Sequence, residues 1–136
     1  MINTLPKSKK RNAFTLVELV VVVLILGIIA AIATPKMFDT ASDARDNASK
    51  QSLTVLREAI ELYRAKNGSF PAAATISTQL ADYLKGPFPA PHVGSKTATV
   101  GASTADPLAV KTGGDGWVYN ETSGDIAINH ADYISW

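Results

Sequence analysis

Residues 14–33, FTLVELVVVVLILGIIAAIA, hold one ionisable side chain, the carboxylate of Glu18 at the fifth position of the run. A charged group near the centre of a membrane helix costs roughly 2.5–3.5 kcal/mol on insertion scales, and less toward an end. Each Leu, Ile or Val returns roughly 0.3–0.6 kcal/mol, and the run holds about a dozen of them, so the segment is expected to enter lipid with its carboxylate.

A second group of residues has the chemistry of a hard-cation site. Asp106, Asp115, Asn120, Asp125, Asn129 and Asp132 offer oxygen donors near one another in sequence, the type calcium takes. Their spacing matches no EF-hand loop, and ordinary turn and surface acids are the competing reading. Calcium is the one cofactor the sequence suggests.

Catalytic chemistry is hard to assemble. His92 and His130 are the only histidines, and neither lies beside a nucleophile signature, so both are expected as solvated loop residues. Gly113-Gly114-Asp115-Gly116 resembles a fragment of a glycine-rich phosphate or calcium repeat. It lacks the Lys-Ser/Thr ending and does not recur, so it is expected to be a turn before a strand. There is no cysteine, which excludes disulfides, thiolate metal sites and thiol nucleophiles. The chain is not expected to be an enzyme.

The elements that would position these residues begin with a basic leader, residues 1–13, carrying Lys7, Lys9, Lys10 and Arg11 with no acid among them. Apart from those four, nine basic residues face twelve acidic ones, so the net charge of +1 is no argument for a nucleic-acid partner. The apolar segment follows, and residues 14–35 form the second unit, long enough to span a hydrocarbon core of about 30 Å as a helix. Basic residues precede it, and mixed charges follow at Lys36, Asp39, Asp43, Arg45 and Asp46. The positive-inside rule therefore puts the N-terminus in the cytoplasm and exports the rest.

Residues 36–136 form the third unit, an amphipathic helix and a small C-terminal globular β domain. Met37, Ala41, Ala44, Ala48, Val55, Ala59 and Leu62 recur at spacings of three, four and seven, with Leu56, Ile60 and Tyr63 beside them. The first half offers a stripe of small residues for close helix packing. The second offers a Leu/Ile/Tyr face for a core. Arg64 and Lys66, then Asn67-Gly68 and Pro71, mark the helix end. Pro35 is either the first residue of a new helix capped by Thr34, or an interior proline of one kinked helix from about 14 to 66. No loop-forming cluster separates the two patterns, which favours a single helix of roughly 80 Å.

Beyond it, Ile76, Leu80, Tyr83 and Leu84 predict a short helix begun by Ser77 and ended by Gly86-Pro87. Phe88-Pro89-Ala90-Pro91 is an extended break. Residues 95–110 read as a surface loop with one edge strand around 97–100. Residues 116–120 and 125–129 read as a hairpin, with Gly124 supplying a positive φ in the turn. Alternation sets Trp117 and Tyr119 on one face, Ile126 and Ile128 opposite them, and that face on Leu56, Ile60 and Tyr63. The fold class is α+β: a long N-terminal helix whose apolar half protrudes and whose amphipathic half packs on a small antiparallel sheet.

Three readings fit an apolar segment of this kind. It is a secretory signal with Ala31-Ile32-Ala33 as its cleavage site, a plain anchor, or something that uses Glu18. The junction Lys9-Lys10-Arg11-Asn12-Ala13 before Phe14-Thr15-Leu16-Val17-Glu18 resembles the processing signal of type IV pilins and type II secretion pseudopilins. The similarity continues through the helix to Tyr63, and Asn67-Gly68-Ser69-Phe70-Pro71 is similar to the helix exit of pseudopilins.

The resemblance implies that a prepilin peptidase cuts between Ala13 and Phe14 and N-methylates Phe14. Glu18 would then pair with the Phe14 amine of an adjoining subunit. Gly27 and Pro35 would bracket a stretch that loses helical order during assembly, as their low helix propensity suggests. It also implies a pilin-like subunit of a type IV pilus or secretion pseudopilus. Such a subunit sits first in the bacterial inner membrane among lipid, as a single pass, and is then drawn by an assembly platform into a periplasmic or extracellular filament with itself or other pilins. Two departures stand out: Ala13 occupies a place usually held by Gly, and the cysteine pair that staples many pilins is missing. The alternative is a soluble binding domain released by signal peptidase after Ala33.

Overall fold

The computed structural model describes residues 14–136; Lys7, Lys9, Lys10, Arg11 and Ala13 lie outside them. The chain divides into two units, residues 1–40 and 41–136.

One helix, α1 (Leu16–Asn67), carries the first long pattern and the second, with Pro35 inside it. The Thr34 hydroxyl does not cap a new helix. It donates back to the Ala30 carbonyl at 2.7 Å, one turn earlier. The helix ends as its sequence predicts: Arg64 and Lys66 occupy the last turn, and Gly68, at φ 75°, donates its N–H to the Arg64 carbonyl at 2.8 Å.

In the first unit every described residue is exposed, and an 18-residue window there has a mean hydropathy of 3.1, which is long and apolar enough to cross a membrane. In the second unit α1 has a defined inner face, Ser49, Leu53, Leu56, Ala59 and Ile60. Leu56, Ile60 and Tyr63 meet the core as expected, whereas Val55 and Leu62 lie on the outer surface. The reason is angular. Leu53, Leu56 and Ile60 share one stripe at three and four residues, and Val55 and Leu62, seven apart, share another.

The short helix after α1 differs from its prediction. A 3-10 turn (Ala73–Thr75) leads into α2 (Ile76–Gln79), and a second 3-10 turn (Ala81–Tyr83) follows. Helical structure starts before Ser77 because distant acceptors take the free N–H groups. Gln79 Oε1 accepts from Ala72 N–H and Glu121 Oε2 from Ala73 N–H, both at 2.9 Å. Ile76 and Leu80 are thereby held in the core.

Three strands follow: β1 (Val100–Ala102), β2 (Trp117–Tyr119) and β3 (Ile126–Ile128), ordered β1-β2-β3. The hairpin is antiparallel, pairing Trp117 with Ile128 and Tyr119 with Ile126, and Gly124 has φ 83° in its turn. A Cβ on Gly124 would collide with the Phe70 ring, so the position excludes a side chain for space as well as for backbone conformation. The sheet as a whole is mixed, not antiparallel: β1 runs parallel to β2, in register Val100 with Trp117. The intervening loop makes this possible, because a parallel neighbour needs a crossover of a dozen or more residues.

Trp117 and Tyr119 are fully buried against α1 with Ile126 and Ile128. Both aromatics place their polar atoms on proline carbonyls of extended segments, Trp117 Nε1 on Pro89 O at 2.9 Å and Tyr119 OH on Pro71 O at 3.0 Å. Val118 and Ala127, on the opposite face, are also buried.

Candidate functional site

The N-terminal end of α1 is built around Thr15 and Glu18. Glu18 Oε2 accepts from the Thr15 backbone N–H at 2.9 Å and from its hydroxyl at 2.8 Å, while the Glu18 N–H donates to Thr15 Oγ1 at 3.2 Å. This is a capping box, in which Thr-x-x-Glu satisfies backbone donors that the first helical turn leaves open. The signal was present in the sequence as Thr15-Leu16-Val17-Glu18, yet it passes unnoticed when Glu18 is weighed only as a charge in lipid. Thr15 is the residue that reading misses.

The cap has a consequence for the carboxylate. Oε2 carries all of the Thr15 bonds, and Oε1 is not engaged among the described residues. Glu18 therefore closes its own helix end through one carboxylate oxygen. Phe14 sits next to this cap and is 82% exposed. From Phe14 to Phe38, sixteen large apolar side chains are exposed. An apolar surface of that extent is a binding surface for lipid or protein and not a solvated one. Gly27 lies within it with nothing within 4 Å of where a Cβ would stand, and Pro35 interrupts its hydrogen-bond ladder.

The proposed calcium donors are employed differently from one another. Asn129 exchanges hydrogen bonds with Lys111 in both directions and also donates to Asp115 O at 3.2 Å. Asn120 donates to Ala105 O at 3.2 Å and accepts from the Thr122 N–H at 2.9 Å. Asp115 packs toward Gly101, Asp132 lies 3.7 Å from His130 Nδ1, Asp125 donates its N–H to Ser123, and Asp106 precedes Pro107. Among the described residues, no three His, Asp or Glu side chains gather as a metal-binding cluster. Gly113 to Gly116 form the approach to β2. His92 is on an exposed loop, and His130 is half-buried against Tyr133, ring centroids 5.0 Å apart.

Comparison with known proteins bears on the N-terminal half. A family described as "Prokaryotic N-terminal methylation motif" matches residues 8–34. The chain is 31% identical over 66 residues to type II secretion system core protein G of Pseudomonas aeruginosa, covering 48% of this chain and 46% of that protein. It is 32% identical over 65 residues to the protein of the same name from Vibrio cholerae, covering 48% and 44%, and 27% identical over 84 residues to that of Klebsiella pneumoniae, covering 62% and 58%. The chain thus spans about half the length of the curated relatives it matches. No solved structure matches it.

Proposed function

We propose, from the match of residues 8–34 to the N-terminal methylation motif and the likeness to type II secretion core protein G over about half of the chain, that this is a protein of the type IV pilin and type II secretion pseudopilin family and a structural subunit of a secretion-type pseudopilus. It is held first in the inner membrane by residues 14–35, with its N-terminus cytoplasmic and residues 36–136 exported. Prepilin peptidase removes residues 1–13 and methylates Phe14. An assembly platform then moves the subunit from lipid into a filament of its own copies or of other pilins.

The observation that carries this reading is the pairing of an uncovered apolar helix with a capped but half-free carboxylate at its start. In lipid an unpaired charge at that depth is unfavourable, and cleavage creates a new cation, the Phe14 amine, which on an adjoining subunit can pair with it. Val55 and Leu62, exposed on the outer stripe of α1, give the exported unit apolar surface of its own for packing against other copies. The role is structural, and no residue is assigned to catalysis.

Intact mass and N-terminal sequencing of the mature protein test the proposal. A chain beginning at N-methylated Phe14 is expected. One beginning at Thr34 would instead mark a domain released by signal peptidase after Ala33, and the filament reading would fall.

A further inference from the structure

A polar cavity of about 320 Å³ opens between three segments of the exported unit. Arg45 enters it from α1, His92 and Lys96 from the loop before β1, and His130 and Tyr133 from the turn after β3. Among the described residues, neither Arg45 nor Lys96 is in an ion pair.

The loop is fastened in place. The buried Ser49 hydroxyl donates to the Arg45 carbonyl at 2.8 Å and accepts the His92 N–H at 2.9 Å, tying the loop to the helical turn that presents Arg45. Gly94 has φ 63°, and a Cβ there would stand 3.3 Å from His130 Cβ, so the loop passes close against His130. Lys96 is the one non-glycine residue with positive φ among the described residues, at 53°. A lysine in the left-handed region is a local strain that the surrounding structure holds, and such strain concentrates at binding sites.

We propose that this cavity is a phosphate site, taking a phosphate group that carries or adjoins a hydroxyl. Donors arrive from three directions: a guanidinium from α1, an ammonium and an imidazole from the loop, and an imidazole from the last turn. A tetrahedral oxyanion accepts from all three directions, whereas a planar carboxylate is served by two. Asp46 also lines the cavity. Its carboxylate accepts from a P–OH or a neighbouring hydroxyl, which a fully ionised sulfate does not offer. The phosphate comes from free phosphate in the exported compartment or from a lipid headgroup, and the two sources share this chemistry.

The test uses the full chain in a maltoside micelle, titrated with inorganic phosphate and followed through the backbone amide resonances of Gly94, Lys96 and His130. Saturable shifts are expected, with affinity at least about tenfold weaker in Arg45→Gln and in Lys96→Gln, each of which removes a charged donor. Both positions are exposed, and unchanged thermal melting of the variants separates lost binding from lost fold. In discs of phosphatidylglycerol without free phosphate, the same resonances shift if the headgroup is the source; if only free phosphate moves them, the source is soluble. Shifts that stay linear with phosphate, that match those from sulfate, or that persist in both variants overturn the proposal.

Discussion

Asn129 closes on Lys111 in both directions: its Oδ1 accepts the Lys111 N–H at 2.8 Å, and its Nδ2 donates to the Lys111 carbonyl at 3.1 Å. A side-chain amide here does what a neighbouring strand does elsewhere, pairing the donor and acceptor of one residue at once. The same Nδ2 reaches Asp115 O, so one buried residue fastens both ends of the segment that leads into β2. In a small domain without cysteine, this is a closure made of hydrogen bonds.

Asn129→Ala is expected to cost roughly 2–3 kcal/mol, because it strands the backbone groups of Lys111 and Asp115, and to lower Tm by on the order of 10 °C in a domain of this size. Thermal melting followed by circular dichroism reads it. EDTA is expected to leave the Tm of the unsubstituted protein unchanged; a large fall on chelation would show that the loop is closed by calcium instead.

The two duties assigned to Glu18 separate by substitution. Glu18→Ala is expected to insert normally and to assemble poorly, and Glu18→Gln, which keeps an acceptor for Thr15 but no charge, should assemble as poorly. Thr15→Val keeps the charge and loses the cap, at a cost of about 1 kcal/mol in helix stability, and should retain most of the filament yield. Membrane fractionation gives insertion and sheared-filament yield gives assembly. Normal filament yield from Glu18→Gln would remove the amine-pairing role.

Tyr119 makes the fold sensitive to alkali. Burial first, then the nearby charge of Glu121 and the Tyr63 phenol, push its phenol above its ordinary value. The folded state therefore keeps this proton where the unfolded chain, near pH 10, releases it. Stability from this group is complete below about pH 10 and falls as the pH rises further. Denaturant titrations at pH 8 and above pH 10 should show that slope. Tyr119→Phe should flatten it while costing about 1 kcal/mol for the bond to Pro71 O.

Gly124→Ala should be among the more damaging single-methyl additions. The residue needs φ 83°, and the added carbon meets the Phe70 ring, itself under the Arg64 guanidinium at 4.5 Å. A loss of roughly 2–4 kcal/mol is expected from overpacking and backbone strain together. Phe70→Ala in the same chain should recover part of it if contact, and not conformation alone, is the cause.

What could be read in advance is what repeats or punctuates locally. The lipid-compatible length of residues 14–33, the stop at Asn67-Gly68, the hairpin turn at Gly124 and the facing of Trp117 and Tyr119 toward Leu56 and Ile60 all follow from periods of 3.6 and 2 and from single-residue backbone preferences. The Thr15–Glu18 cap was legible by the same means, as a four-residue motif, and was obscured by the more conspicuous question of charge.

Residues 69–115 behaved differently because their conformation is decided by partners far along the chain. The first 3-10 turn takes an acceptor from Glu121, and β1 is a strand only because β2 lies beside it in parallel. The oxygen-rich residues near the hairpin looked alike in the sequence, yet the amides of Asn120 and Asn129 are spent on the loop backbone while the aspartates disperse. Local pattern alone was enough for the apolar span, its carboxylate and the helix–hairpin core, since periodicity and capping act within a few residues. Tertiary structure alone decided the mixed sheet, the loop closure and the basic cavity, since these depend on hydrogen bonds between groups that no local pattern pairs.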